Sequence, residues 1–429
     1  MMHKKNILET QPDLTGWKKS AFLATIVLVS IFSQVDRILP FIMAESIKAD
    51  LRLSDTQLGL ITGLAFALCY SVAALPLARL SDMGRSKQVL AACILVWSAM
   101  TGLSGLATSF SMLAFLRVGV ALGEAGGTPA SHALIVQKIA VSFRGRAIGL
   151  FSMGIPLGTM LGFGLGGWAN DTIGWRSAFI VAGGLGLVLT ALIWLFAGKN
   201  QEVMPDLLPT EGFLLASRKL LSKPAFLWLF IAANLVTFAS APFYVFTAPF
   251  LIRTHGLTTT EVGLSFGALQ GLMGILATLI GGRLFDKLVA GKSGRLLHPP
   301  AIVFMIAAVF TSAGLFAPTS SLAIALFVPG MFSFAFCLPF AFGAGHLVAG
   351  SGKQAMSSSL LMLATSLLGP SVSPLLVGLI SDAFTESNLG NGLQWGLTIG
   401  PAASILTALA CLMVSRQMGE FWKEKPILT

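Results

Sequence analysis

Twelve apolar stretches, each close to the length that crosses a bilayer, follow one another along this 429-residue chain. Their approximate limits are 19–43, 56–79, 88–108, 109–138, 145–170, 175–197, 224–251, 260–282, 298–316, 320–346, 355–381 and 392–414. A helix needs about 20 residues to cross the hydrocarbon core. Within lipid, every backbone amide must find its partner inside the segment, so repeated spans of this kind dictate an all-α membrane bundle. Composition agrees with that reading. Charged residues make up 11% of the chain, against about 25% in soluble domains, and the mean hydropathy is +0.82.

An even number of spans puts both termini on one side, and the basic residues say which side. Of 28 lysines and arginines, 22 fall in the tails and the even-numbered connections, among them Lys18, Arg85, Arg144, Lys199, Arg218, Arg283 and Arg416. Only Lys48, Arg52, Arg176 and Arg253 fall on the other face. The positive-inside rule makes the rich face cytoplasmic. The net charge of +10 therefore reflects topology, and a nucleic-acid partner is not expected. Residues 1–18 read as a cytoplasmic tail without signal-peptide architecture, because the first apolar stretch is already of spanning length. Cys69, Cys93, Cys337 and Cys411 are scattered through apolar stretches, which fits buried small side chains and neither a metal site nor a cofactor.

The longest polar interruption, 198–223, separates a first bundle at 19–197 from a second at 224–414, with 415–429 as a second tail. The halves repeat. Residues 56–82 align without a gap on 260–286 with 10 of 27 positions identical, including Thr56-x-x-Gly59-Leu60-x-x-Gly63 on Thr260-x-x-Gly263-Leu264-x-x-Gly267 and Arg79-Leu80-x-Asp82 on Arg283-Leu284-x-Asp286. Two parallel six-helix halves related by an axis along the membrane normal would produce this pattern.

Inside the membrane, charge is confined to two spans: Asp36 and Arg37 on the first, Arg117 and Glu124 on the fourth. A charged side chain at the bilayer centre costs roughly 2.5–3.5 kcal/mol even on insertion scales, so these groups face protein or water. Arg117 and Glu124 are seven residues apart and share one helix face. Asp36 and Glu124 are candidates to carry a proton, since a carboxylate that alternates between wet and dry surroundings can load and release one. Arg37 and Arg117 keep their charge and suit a carboxylate partner or an anionic substrate group. The competing reading is a permanent pair of ion pairs bracing the two spans. His132, two turns beyond Glu124, is a candidate proton relay or simply a packing residue. Arg79, Asp82, Arg85, Arg283 and Asp286 sit at cytoplasmic helix ends, where carboxylates can pair with arginines or helix N-termini across the halves and latch the outward-open state.

Glycines 149, 154, 158, 162 and 166 on the fifth span provide a stripe for close helix approach. The second half has no charge in mid-membrane but many phenylalanines. Phe243, Tyr244, Phe332 and Phe336 are expected to line an apolar wall facing the charged one, a cavity suited to an amphipathic solute.

These paired Gly-x-x-Gly and Arg-Leu-x-Asp elements, the twelve spans and Arg117 resemble the major facilitator superfamily. Within it, Ser54-Asp55-Thr56-Gln57-Leu58-Gly59, the run from Gly123 to His132, and Ser152-Met153-Gly154-Ile155-Pro156-Leu157-Gly158 resemble the spinster family, as a bacterial member. The resemblance implies that spans one, four, seven and ten line a central cavity. It also implies that Asp36, Arg37 and Glu124 are proton-linked, and that the substrate is of lysophospholipid or sphingolipid type. The expectation is a proton-coupled secondary transporter working by alternating access in the bacterial inner membrane, as a monomer, with lipid-like substrate, protons and membrane lipids as partners. The rival is a transporter of small organic anions that uses Arg37 and Arg117 to bind a carboxylate. A non-transporting receptor is more remote. An enzyme is not expected, because no nucleophile–base or metal-ligand cluster is present. ATP-driven transport lacks its phosphate-binding loop.

Overall fold

The computed structural model describes residues 14, 16–198, 213–291, 293–350, 353–387 and 390–424. Most of the N-terminal tail, residues 425–429 and most of the 198–223 connection lie outside the described residues, and the stretch expected as a second tail from 415 continues the last helix to Glu424. The spanning helices are α1 Gly16–Ile42, α2 Asp55–Leu80, α3 Met83–Ser104 and α4 Phe110–Lys138, then a 55-residue helix Ser142–Phe196. After the connection come α7 Pro224–His255, α8 Thr259–Ala290, α9 His298–Leu315, α10 Ser320–Ala349, α11 Met356–Glu386 and α12 Gly392–Gly419. At 1.5 Å per residue, Ser142–Phe196 is far too long for one crossing of about 30 Å. It breaks at Gly174, where φ is 78° and ψ is 157°. This left-handed turn, which glycine enters freely, yields α5 (142–173) and α6 (175–196). Twelve crossings result, as the apolar pattern requires.

Besides the last, which divides into Gly392–Gly396 and Ile399–Glu424, two expected spans are not single rods. α4 is interrupted between Glu124 and Gly127, and α11 is interrupted at Leu367. Neither break is readable from hydropathy, which measures length and apolarity but not backbone continuity.

Local chemistry fixes the ends. Ser54 caps α2 and exchanges hydrogen bonds with Gln57, while Thr258 does the same for α8 with Glu261. Each is a reciprocal box that satisfies two otherwise unpaired amides. The residues two positions earlier, Arg52 and Gly256, both take the left-handed conformation, with φ of 53° and 69°. The repeat offset of 204 residues thus extends into backbone geometry.

The glycine stripe of α5 packs as expected on α1. Gly154, Gly158, Gly162 and Gly166 meet Ser30, Ile31, Gln34, Ile38 and Leu39 so closely that no side chain would fit. Gly149 departs from the pattern. Together with Gly145, it has nothing within 4 Å. The first and second halves meet along α2–α11 and α5–α8. Gly63 packs on Pro370, and Gly271 packs on Met160 and Pro156. Toward the cytoplasm this packing ends, and Gly282 on α8 also faces open space.

Candidate functional site

The four intramembrane charges converge. Arg37 on α1 donates from Nε to Glu124 Oε2 on α4 at 2.5 Å. Arg117 interacts electrostatically with both Glu124 and Asp36. Asp36 and Arg117 are each 2% exposed, and the Glu124 side chain is 0% exposed, whereas that of Arg37 is 32% exposed. The set is therefore sealed except through one guanidinium. Its hydrogen bonding is incomplete: Asp36 Oδ1, Glu124 Oε1 and Arg117 Nε and Nη1 are buried without partners. Buried polar atoms are ordinarily satisfied, so the set is not a finished brace.

Two aromatic residues complete it. Phe66 on α2 lies beneath both guanidiniums, 5.2 Å from Arg117 and 5.3 Å from Arg37. Tyr70, one turn on, holds Arg37 at 4.6 Å. Such rings attract a cation through their negative faces. Sequence reading passed over them because an aromatic in an apolar span carries no signal of its own. Their i, i+4 spacing becomes informative only once α1 and α4 are seen beside them.

The other candidates are dispersed. His132 stands edge-on to Phe151, with ring centres 5.1 Å apart, and makes no described hydrogen bond to the charged set. Phe243 is buried among Phe266, Phe327 and Phe334 at 5.4–5.6 Å. Phe336 is buried between Phe332 and Phe340. Phe332 also lines an apolar cleft with Met273, Val303, Ile306, Val328 and Pro329. Tyr244 receives a hydrogen bond from Gln270 Nε2 at 2.7 Å. At the cytoplasmic face, Arg79, Arg85, Arg283 and Asp286 are exposed, and no ion pair joins them among the described residues. The side chain of Asp82 lies outside the description.

The described hydrogen bonds between halves gather at the opposite, extracytoplasmic end. Asp382 at the end of α11 accepts from Asp55 N (3.0 Å), Thr56 N (2.9 Å) and Thr56 Oγ1 (2.6 Å) at the start of α2. Asp171 at the end of α5 accepts from Thr260 N and Oγ1, both at 2.7 Å, at the start of α8. A carboxylate against a helix N-terminus satisfies free amides and opposes the helix dipole. Arg253 of α7 reinforces the first contact. It grips Glu45 at 2.6 and 2.8 Å and Asp55 at 2.6 and 2.7 Å. Lys48 and Ser381 each donate to Asp55 at 2.6 Å. None of these residues was a sequence candidate for gating. The signal was available in the scarcity of bases on this face: three of its four, Lys48, Arg176 and Arg253, are ion-paired.

A bundle whose described inter-half hydrogen bonds gather at one end can be compared with known proteins. Residues 25–374 match the model of the Major Facilitator Superfamily. The chain belongs to the major facilitator superfamily. It is a multi-pass transporter of a fold found in the bacterial inner membrane. It is 32% identical over 400 residues, 91% of each chain, to an "MFS-type efflux pump" of Mycolicibacterium smegmatis. It is 27% identical to the sphingosine-1-phosphate transporter SPNS2 of Danio rerio, over 83% of this chain and 75% of that one. It is 24% identical to the "Probable L-galactonate transporter" of Escherichia coli, over 90% and 87%. Among solved structures, a bacterial homolog of the human lysosomal transporter Spinster, inward-facing and unoccupied, matches with a TM-score of 0.83 and 25% identity, over 97% of this chain and 100% of that one.

Proposed function

We propose that this transporter moves an amphipathic, lipid-like anion by alternating access, coupled to protons through Glu124 and Asp36. The observation that carries the reading is the Arg37–Glu124 pair. Arg37 is the one member of a buried charge set whose side chain reaches solvent, and it is held by a carboxylate whose second oxygen accepts no hydrogen bond. An anionic headgroup arriving at Arg37 competes with Glu124 for the guanidinium. A carboxylate released in a buried site is stabilised by taking a proton, so substrate and proton occupancy become linked. The phenylalanine-rich walls of α7 and α10 suit an acyl chain, and the similarity to a sphingosine-1-phosphate transporter supports that class.

A second reading has its own support. Sugar-acid transporters are among the similar proteins, and Arg37 with Arg117 could hold a small carboxylate. The burial of Arg117 argues against it, since that guanidinium is sealed from solvent and already faces two carboxylates. Ligand-induced thermal stabilisation across lysophospholipids, sphingoid-base phosphates and sugar acids, each at two pH values, separates the readings. Stabilisation by the lipids alone, varying with pH, supports the first. Stabilisation by sugar acids alone overturns it.

A further inference from the structure

We propose that Gln270 and Tyr244 form a polar subsite on the second-half wall of the substrate cavity, built to receive an uncharged hydroxyl group of the substrate. This rests on the reading that an amphipathic anion is held at Arg37.

The pair stands out from its surroundings. Gln270 is 1% exposed and follows Phe266 by one helical turn, while the Tyr244 ring stands 6.5 Å from that of Phe334. Its Nε2 donates to Tyr244 Oη at 2.7 Å, but its Oε1 is buried with no partner. The phenol accepts that bond, and no described acceptor takes its own proton. The buried, unpaired Oε1 carries a desolvation cost that an arriving donor would offset. Tyr244 is half-buried.

Position supports the assignment. The repeat that sets Thr56 on Thr260 sets Phe66 on Gln270, and Phe66 is the ring beneath Arg37 and Arg117. Depth agrees. Gly271 packs on Pro156 and Met160 of α5, and Gly158 between them packs on Ile31 and Gln34 of α1. Gln270 therefore lies near the membrane level of the charged set, on the opposite half.

The hydrogen-bond inventory selects the ligand group. The site offers one unfilled acceptor, Gln270 Oε1, and, beside the second Nε2 hydrogen, the proton of the Tyr244 hydroxyl. A hydroxyl gives a proton to Oε1 and takes one from the phenol. An ammonium has no lone pair for the phenol, and a carboxylate or phosphate would set its oxygens against Oε1. A headgroup whose charge lies at Arg37 and whose hydroxyl lies a few bonds away meets both walls.

The test uses the full-length protein in nanodiscs and two probes that differ by one hydroxyl: 1-O-dodecylglycerol 3-phosphate and the monophosphate of 3-dodecyloxypropan-1-ol. Affinities come from tryptophan-fluorescence titration. Wild type is expected to prefer the hydroxylated probe about fivefold, the worth of an ordinary hydrogen bond. Gln270→Leu should bring the ratio to about one by weakening only the hydroxylated probe, and Tyr244→Phe should reduce it in part. If Gln270→Leu does not fold, Tyr244→Phe decides. A wild-type ratio of one, an unchanged ratio in the variants, or equal weakening of both probes overturns the subsite alone. Failure of wild type to bind either probe overturns the lipid-anion reading, and the subsite falls with it.

Discussion

The two halves share their hardware and differ in their chemistry. Capping boxes at Ser54 and Thr258, left-handed residues at Arg52 and Gly256, and the capped residues Thr56 and Thr260 recur at one offset, and each of the last pair meets a carboxylate of the opposite half, Asp382 or Asp171. Within the membrane the correspondence lapses. The first half carries Asp36, Arg37, Arg117 and Glu124, while the second places phenylalanines around one amide–phenol pair. Repetition is thus kept where the halves are joined at the extracytoplasmic end, and lost at mid-membrane, where we propose the solute is handled. A gate between two related bundles works best when each presents the same closure to the other. A site for an amphipathic solute needs two unlike walls.

The largest expected effect tests that division of labour. Glu124→Gln removes the titratable partner of Arg37 while keeping its shape, and transport in proteoliposomes should lose its dependence on an imposed pH gradient. Persistence of wild-type pH dependence would strip the first half of its assigned role.

Next comes the reinforced side of the gate. Arg253→Met leaves Asp55, a 2% exposed carboxylate, with only Lys48 and Ser381. The extracytoplasmically closed state should weaken by about 1–3 kcal/mol, with allowance for the partial exposure of Arg253. Spin-label distances between the outer ends of α5 and α8 should broaden toward longer values, and an unaltered distribution would show that the network does not hold the gate.

The paired caps allow a sharper comparison. Loss of an N-terminal cap costs about 0.5–2 kcal/mol. Asp382→Ala should shift the same distances more than Asp171→Ala, because Asp382 accepts three bonds beside the Arg253 network and Asp171 accepts two from Thr260. Equal or reversed shifts would mean that the closures are not ranked by their bonding. The smallest effect belongs to the cytoplasmic end. Asp286 is exposed in this state, so Asp286→Asn should leave the stability of this conformation unchanged. By our gating proposal it weakens only the opposite conformation, and labels on the cytoplasmic ends should then report a modest gain of the open form. A fall in thermal stability would contradict that.

Hydropathy determined the twelve crossings and the basic residues their orientation, because crossing lipid imposes a length and an apolarity on each segment, and the positive-inside bias a side, whatever its neighbours. The charge inventory likewise marked Asp36, Arg37, Arg117 and Glu124, since an ion in hydrocarbon is costly wherever the helix docks. Only the tertiary structure decided that Phe66 and Tyr70 bed the guanidiniums, that Gln270 lacks a partner, and that Asp171 and Asp382 close the outer gate. Each of those facts depends on which helix stands opposite. Hydrogen bonds and ring contacts act over a few ångströms, so residues more than three hundred positions apart, such as Thr56 and Asp382, acquire a joint role only through the packing of the two halves.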